Sequence, residues 1–559
     1  MPWLFILAIS HLILLLIFRL IWYKRFKQYE AFPQLPPSLL LGHLKSYNDI
    51  ACRGPSDRDN DHIFAEIHDI LGQPPLVLMD FRPICKPVLF ITSHEVAEQI
   101  SRPTKQFPTS VPKVDLRYLE PVIGSTSILA AEGEKWRALR KTFNHGFSVQ
   151  NLMTHLPTIL DKTMILVDQL DTLSVSGDEA SLVSLTMDLT LNVIGAVMLD
   201  VDLDAQHFDP CQRGQLVRAF SDLLKAYWDD KLHLPWWFNP VGELKRRLLG
   251  KRVDGILKSI IRHNYQEKQK AYIVGEKILS TRAPSIMSLS LQGTTVLSDE
   301  VLSKTCDQLR TFLLGGHDTP SATLAWVFYE LSRTPRAQRA VQAELDALFG
   351  PGTDSEVVRA QLVSPVGPDL LGRMSYITAV IKETLRLHTP ASTARYSAPG
   401  NGLVVNLPAG GSLPLDGLIV YNCNSIIHRD RTIFGPNADH FIPERWLENN
   451  ISSSGGIKPT IPPSAWRPFE RGPRACIGQE LANIEMRVVI AVLARQYKFV
   501  KTGLGELMVD PTTGLPMLRD DGQYEVKSHV YNTRQITARP VDGIMVKVKR
   551  IHQDLVPLH

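Results

Sequence analysis

From Trp3 to Tyr23 the chain is apolar at nearly every position, WLFILAISHLILLLIFRLIWY. A helix of about 20 such residues, rising about 1.5 Å each, spans a hydrocarbon core of about 30 Å. Arg19 lies near one end, where its stem reaches the headgroups, and Trp22 and Tyr23 make an interfacial pair. Lys24, Arg25 and Lys27 follow at once, and no Lys or Arg precedes the run. This bias predicts an uncleaved anchor over residues 1–23 with the body in the cytosol; a secretory leader would show a basic start and a small-residue cleavage site. Residues 24–41 read as a basic, proline-bearing linker with Pro33, Pro36 and Pro37.

Beyond the linker the period changes. Leu76–Phe81 and Val88–Ile91 are short apolar runs divided by Arg82-Pro83, which predicts a hairpin, and Ser93 suits the cap of a helix through Val96 and Ile100. From about Trp136 to Gln342 the spacing is mostly helical, with breaks near Pro210, Leu234–Trp237 and Ala283-Pro284. Residues 398–421 turn to short β-like pieces, Asn449–Pro459 reads as a polar surface loop, and Ile536–Val548 alternates like a terminal hairpin. Asn450-Ile451-Ser452 is a glycosylation sequon that a cytosolic body leaves unmodified. The expectation is a mainly α chain with a small β part.

Composition narrows the classes. Sixty-one basic against 57 acidic residues, net +4, builds no field for nucleic acid. Six scattered cysteines make no disulfide scaffold and suit a reducing compartment. One of them has chemistry around it: Phe469-Glu-Arg-Gly-Pro-Arg-Ala-Cys476-Ile-Gly478. Gly472 and Gly478 allow close backbone approach, and Arg471 and Arg474 favour a thiolate. Ile477, Leu481, Ile484, Val488 and Val492 step at helical intervals, which puts the sulfur at a helix N-terminus. Zinc wants four ligands and none cluster here, whereas a haem iron suits a lone thiolate.

This stretch is similar, at every fixed position, to the haem-binding signature of the cytochrome P450 family, Phe-x-x-Gly-x-Arg-x-Cys-x-Gly. Four further segments, in the family's order, strengthen the resemblance. Trp136-x-x-x-Arg140 resembles the helix whose indole and guanidinium hold a haem propionate, and Arg395 occupies the position of another propionate ligand. Glu383-x-x-Arg386 with Arg445 resembles a buried Glu-Arg-Arg triad of structural purpose. Gly315-Gly316-His317-Asp318-Thr319 resembles the oxygen-binding motif, in which Thr319 handles bound oxygen and Asp318 relays protons.

Two glycines inside a helical pattern from about Leu302 to Leu331 cost roughly 1 kcal/mol each relative to Ala, and the reason proposed is room over the cofactor face, with Gly316 in contact. His317 is expected to pack, not to ligate. Pro320 departs from the family's Thr or Ser; lacking an N–H, it leaves the Gly316 carbonyl free and deepens the kink, with Ser321 as substitute hydroxyl.

The resemblance implies a P450 fold over 42–559 behind a single transmembrane helix in the endoplasmic reticulum. It implies haem b with an axial thiolate from Cys476, further held by Phe469, Arg474, Trp136, Arg140, Arg395 and Gly316. The activity it implies is insertion of one oxygen atom into a lipophilic small molecule (a polyketide, terpenoid, steroid or fatty acid). Electrons come from NADPH–cytochrome P450 reductase, with cytochrome b5 as an accessory, docking near Lys135, Arg137, Lys141 and Arg471. The competing reading is a haem-thiolate isomerase or dehydratase that needs neither dioxygen nor reductase; such relatives tend to lose the Thr that this chain keeps.

Overall fold

Strand runs that read Leu-Val-Leu-Met and Val-Leu-Phe-Ile have no polar alternation, so they need a sheet buried on both faces. The computed structural model describes residues 2–227, 239–273, 284–352, 354–447, 460–533 and 535–551. The sequence features expected at Leu234–Trp237, Ala283, Asn449–Pro459 and the sequon lie outside them. The chain divides into two compact units.

The first unit comprises residues 1–115, 392–435 and 461–475. Its sheet has four strands in the order Leu76–Met79, Val88–Ile91, Ile419–Asn422, Thr393–Tyr396. The first pair is the expected antiparallel hairpin, with Leu76 opposite Ile91; the central pair is parallel, with Phe90 opposite Tyr421. Because successive side chains point to opposite faces, Leu76, Leu78, Leu89 and Ile91 join one core with Val96, Ile100 and Val420. Val77, Met79 and Phe90 join another with Ile63, Phe64 and Ile67. Ser93 caps the His94–Ser101 helix as expected, accepting from the Glu95 N–H.

The apolar helix Pro2–Trp22 continues through a wide turn over Tyr23–Lys27. Trp3–Lys27 has the length and composition to cross a membrane, and its most apolar 18 residues are not buried against the protein. Its basic end is not simply solvated. Arg25 is buried: it donates to Asp80 Oδ2 at 2.6 Å and to the carbonyls of Leu39, Leu40 and Arg82 at 3.1, 2.7 and 2.8 Å. Gly42, with φ +55°, makes room for this latch, since a Cβ there would lie 2.3 Å from the Asp80 carbonyl oxygen.

The second unit comprises residues 116–391, 436–460 and 476–559. Its centre is the helix Asp299–Arg333, packed along the helix Leu182–Leu199. Leu182–Leu199 is mostly apolar, as suits a buried helix, whereas Asp299–Arg333 buries several polar side chains, among them Asp307, Gln308, Arg310 and Asp318. Ser298 and Ser181 cap them, accepting from the N–H groups of Val301 and Ser184. The expected terminal hairpin is corrected. Arg539–Pro540 pairs with Asn532–Thr533, while Met545–Arg550 pairs with Tyr497–Lys501 and Glu179–Ser181. Gly543, at φ +65°, turns the chain between the two sheets, and a Cβ there would meet Ser181 Oγ at 2.4 Å.

Candidate functional site

Cys476 is exposed, three residues before the helix Gln479–Leu493, whose buried Leu481, Ile484, Val488 and Val492 are those the spacing predicts. A Cβ on Gly478 would approach only the Cys476 sulfur (3.9 Å) and Phe147 (4.0 Å), so this residue keeps the surround of the sulfur thin. Phe147 and Phe143 both pack edge-on against Phe312 of the long helix, with centroids 5.2 and 5.1 Å apart. Phe143 belongs to the helix Gly133–Asn144, which also carries Trp136, buried, and Arg140. Burial pulls the Arg140 guanidinium below its ordinary range, and the charge of Cys476 acts in the opposite direction. Aromatic contacts thus tie three expected segments, around Trp136, Gly315 and Cys476, into one part of the second unit.

The long helix answers the two-glycine question unevenly. A Cβ on Gly315 would meet nothing within 4 Å, whereas one on Gly316 would lie 2.6 Å from Ile194 Cδ1. The open face is therefore at Gly315, and Gly316 is fitted against the neighbouring helix. Thr319, one turn on from Gly315, donates its hydroxyl to the Gly315 carbonyl at 2.9 Å. His317 is buried, hydrogen-bonded through Nδ1 to the Leu313 carbonyl (2.6 Å) and edge-on to Phe220. It packs, as expected.

Around Pro320 the helix stays continuous, and threonines of the neighbouring helix brace it. Thr190 donates to the His317 carbonyl at 2.8 Å and Thr186 to the Ser321 carbonyl at 3.0 Å. Ser321, the expected substitute hydroxyl, instead donates to the Asp318 carbonyl at 2.9 Å and is fully buried. Asp318 is buried too: Oδ1 accepts from Arg539 Nε at 2.6 Å and Oδ2 from the Thr537 hydroxyl. Nothing in the local sequence signals this partnership, because the residues are more than two hundred positions apart.

Sequence reasoning also missed the bracing of residues 121–128. Asp307 Oδ2 accepts from the Thr126 N–H and hydroxyl, Gln308 Oε1 from the Ile128 N–H at 2.7 Å, and Arg310 Nε donates to the Val122 carbonyl at 3.1 Å. Gly124, at φ +81°, is pressed against Asp307, with 2.0 Å between its would-be Cβ and Oδ1. This segment is fastened along the two turns that precede Gly315.

The Glu-Arg-Arg network assembles as expected. Glu383 Oε1 accepts from Arg386 Nη2 (2.8 Å), Arg445 Nε (2.9 Å) and the Ile442 N–H (2.9 Å). Oε2 accepts from Arg386 Nε (2.8 Å) and Trp446 Nε1 (2.9 Å). Burial pushes this carboxyl up, but the two arginines and the Ile442 N–H outweigh it and hold the acid below the usual range.

The first unit carries Arg395, Phe469 and Arg474. Arg395 is fully buried, donating to Ser110 Oγ and the Val111 carbonyl at 3.1 Å, with Glu470 3.8 Å away. Arg474 is buried, and Phe469 lies edge-on to Trp466. Gly472 is obligatory in its loop: at φ +75° a Cβ would stand 2.2 Å from the Ser101 carbonyl oxygen. Arg471, expected to favour the thiolate, pairs with Glu98 at 2.9 Å.

The residues fit a haem through their chemistry. An exposed sulfur has a guanidinium in electrostatic reach, and a helix face without side-chain cover stands at Gly315. Among the described residues no three His, Cys, Asp or Glu side chains converge on one point.

The profile of the cytochrome P450 family matches residues 50–526. A cytochrome P450 monooxygenase, polC, of Polytolypa hystricis is 29% identical over 497 residues, 85% of this chain and 83% of that protein. The monooxygenase acrF of Aspergillus aculeatus is 30% identical over 439 residues, 75% of this chain and 83% of that protein. A bifunctional cytochrome P450/NADPH–P450 reductase of Fusarium oxysporum is 35% identical over 206 residues, 37% of this chain and 17% of that protein. With the cysteine loop, the buried Glu-Arg-Arg network and the open glycine on the long helix in the family's order, this chain belongs to the cytochrome P450 family and is a haem-thiolate monooxygenase.

Proposed function

We propose that this chain, anchored in the endoplasmic reticulum membrane by residues 1–23 and joined through residues 24–41 to a catalytic domain over 42–559, inserts one oxygen atom from O2 into a lipophilic small molecule of secondary metabolism. The carrying observation is the joint placement of Cys476, Arg140 and the Gly315 face within one unit, bridged by Phe147 and Phe312. Haem, when bound, supplies the centre at which dioxygen is reduced and split.

The chain's own residues do the rest. Cys476 is the thiolate that holds the cofactor. Trp136 and Arg140, four apart on one helix, present an indole N–H and a guanidinium on one face for a propionate. Gly315 leaves the face above it open, and the Thr319 hydroxyl, one turn on, is placed to hold a proton there. Electrons come from NADPH–cytochrome P450 reductase, with cytochrome b5 as an accessory donor, and the reductase fusion in the Fusarium relative supports that class of partner. Exposed Lys135 and Lys141 favour an acidic docking face.

The test is the carbon monoxide difference spectrum of the reduced full-length protein. A red-displaced Soret band that vanishes in Cys476→Ser is expected; its persistence in that variant overturns the assignment. Reductase-dependent NADPH consumption on adding lipophilic compounds then identifies substrates. Product formed under nitrogen without reductase assigns a rearrangement in place of oxygen insertion.

A further inference from the structure

A cavity of about 400 Å³ opens in the second unit, and none of the residues assigned to the cofactor lines it. Two helices build its walls with the same spacing. Gln169, Thr172, Leu173 and Ser176 come from the helix Leu156–Ser176, and Ser184, Leu185 and Asp188, with the cap Ser181, from the helix Leu182–Leu199. Steps of three, one and three residues put each set on one helix face. A face turned inward between packed helices is ordinarily apolar. Here Gln169 and Asp188 share the buried part of the wall with Leu173 and Leu185.

Both polar groups are short of partners. Gln169 is 7% exposed, its Oε1 is buried without a donor, and among the described residues its amide makes no hydrogen bond at either end. Buried polar groups are nearly always satisfied, so an amide left idle on a cavity wall marks a missing partner. Asp188 Oδ2 accepts from Arg213 Nη2 at 2.6 Å, while Oδ1 takes no hydrogen bond among the described residues. Burial pushes this carboxyl up to about 7 against the pull of Arg213, so one guanidinium does not offset its desolvation.

The charge of the lining says what kind of partner is missing. Asp178, Glu179 and Asp188 set three carboxyls against Arg213, which is also committed to the His207 carbonyl at 3.1 Å. Lys547 stands 3.9 Å from Glu179 but does not line the cavity. The last turn of Leu156–Ser176, which carries Leu173 and Ser176, adds the negative end of its dipole. Phe208, 53% exposed, adds an aromatic ring of the kind that covers cations.

We propose that this cavity binds a small organic cation bearing N–H donors, an alkylguanidinium or alkylammonium, whose charged end donates to Asp188 Oδ1 and the Gln169 oxygen. The Gln169 amide has no hydrogen bond to break and turns its oxygen to the ligand, and the carbon chain lies on Leu173 and Leu185. The helix that carries Asp188 turns its other face to the long helix, where Thr186 and Thr190 donate to the Ser321 and His317 carbonyls. Occupancy therefore stiffens a helix on which the Pro320 region rests. Neither site nor ligand depends on what the haem centre oxidises.

Ethylguanidinium is the probe, because its cation has no lone pair to offer haem iron; ethylurea, of similar shape without the charge, is the control. Titration calorimetry of the full-length holoenzyme in detergent is expected to show saturable millimolar binding of ethylguanidinium, with ethylurea about tenfold weaker or worse. Gln169→Leu loses no hydrogen bond and keeps the fold, and it weakens binding about tenfold, the scale of a hydrogen bond to a charged group. Asp188→Asn weakens it at least as much; should that variant unfold because Arg213 loses its carboxylate, Gln169→Leu decides. Hydrogen exchange across residues 182–190 slows with the probe in the parent and does not in Gln169→Leu. Equal binding of the two compounds, an affinity unchanged in Gln169→Leu, or no saturable binding at millimolar concentrations overturns the proposal.

Discussion

Replacing Glu383 by Ala removes one carboxylate that receives five hydrogen bonds, two of them from Arg386 and one from Arg445. Glu383 and Arg386 are both 0% exposed. Each guanidinium keeps backbone carbonyls, those of Ala438 and His440 for Arg386 and that of Asn437 for Arg445, but carbonyls do not neutralise charge. Breaking a buried pair by removing one partner costs about 3–5 kcal/mol, and here one deletion takes the same carboxylate from both Arg386 and Arg445. Losing the acceptor of the Trp446 and Ile442 N–H groups adds about 1–3 kcal/mol for each buried donor left unsatisfied, without simple additivity. Against a total stability of about 5–15 kcal/mol, Glu383→Ala is expected to lose most of its folded population at 37 °C.

Urea titration of full-length protein in detergent, followed by tryptophan fluorescence and by retained haem absorbance, measures the loss. Glu383→Gln keeps the shape but offers one acceptor and two hydrogens to a ring of donors, so it should fare little better. The decisive arm is Glu383→Met with Arg386→Met. If uncompensated charge is the cause, the double variant is more stable than the sum of the single effects predicts, by about 1–3 kcal/mol. Strict additivity, or a Glu383→Ala variant within about 1 kcal/mol of the parent, would refute the reasoning.

Four further outcomes are expected. Gly315→Ala raises the unfolding midpoint, since Ala favours a helix interior over Gly by up to about 1 kcal/mol and its Cβ meets no atom, while oxygen-dependent turnover falls because the added methyl enters the open face. Gly316→Ala does the reverse to stability: it overlaps Ile194 and costs about 1–3 kcal/mol, recovered in part by Ile194→Val or Ile194→Ala in the same denaturation assay. Gly124→Ala strains φ +81° and displaces Asp307 from Thr126, so hydrogen exchange across residues 121–128 should rise, and normal protection there would refute the bracing role. Burial holds the His317 imidazole below its usual range, so the unfolded chain takes up a proton that the folded chain refuses; stability is present above pH about 6.5 and is lost as pH falls, and His317→Gln should flatten that slope by up to about 1.4 kcal/mol per pH unit.

What the sequence made legible was whatever it encodes over short distances. The hairpin at Leu76–Ile91, the Ser93 cap, the helix behind Cys476 and the Glu383–Arg386 face all follow from spacing within one turn or one strand. Partners brought together by the fold were invisible. Asp318 finds Arg539, Gly316 finds Ile194 and Asp307 finds Thr126, and no local periodicity announces any of them. Alternation around Pro540 suggested a single hairpin because a period of two identifies strands without saying which strand each one joins. Arg471 lies five positions from Cys476 along the chain, and its ion-pair partner Glu98 is likewise one that no local spacing announces.

Arg25 sits at the boundary between the apolar helix and the first unit, gripped by Asp80 and three carbonyls. A helix joined through a loose tether would let that unit swivel and sample every heading. With the guanidinium keyed into its socket, turning the helix turns the unit with it. With the helix anchored as proposed, the tilt that lipid thickness imposes on it is inherited by the unit, and bilayer composition becomes a variable that sets how this half of the protein faces the surface.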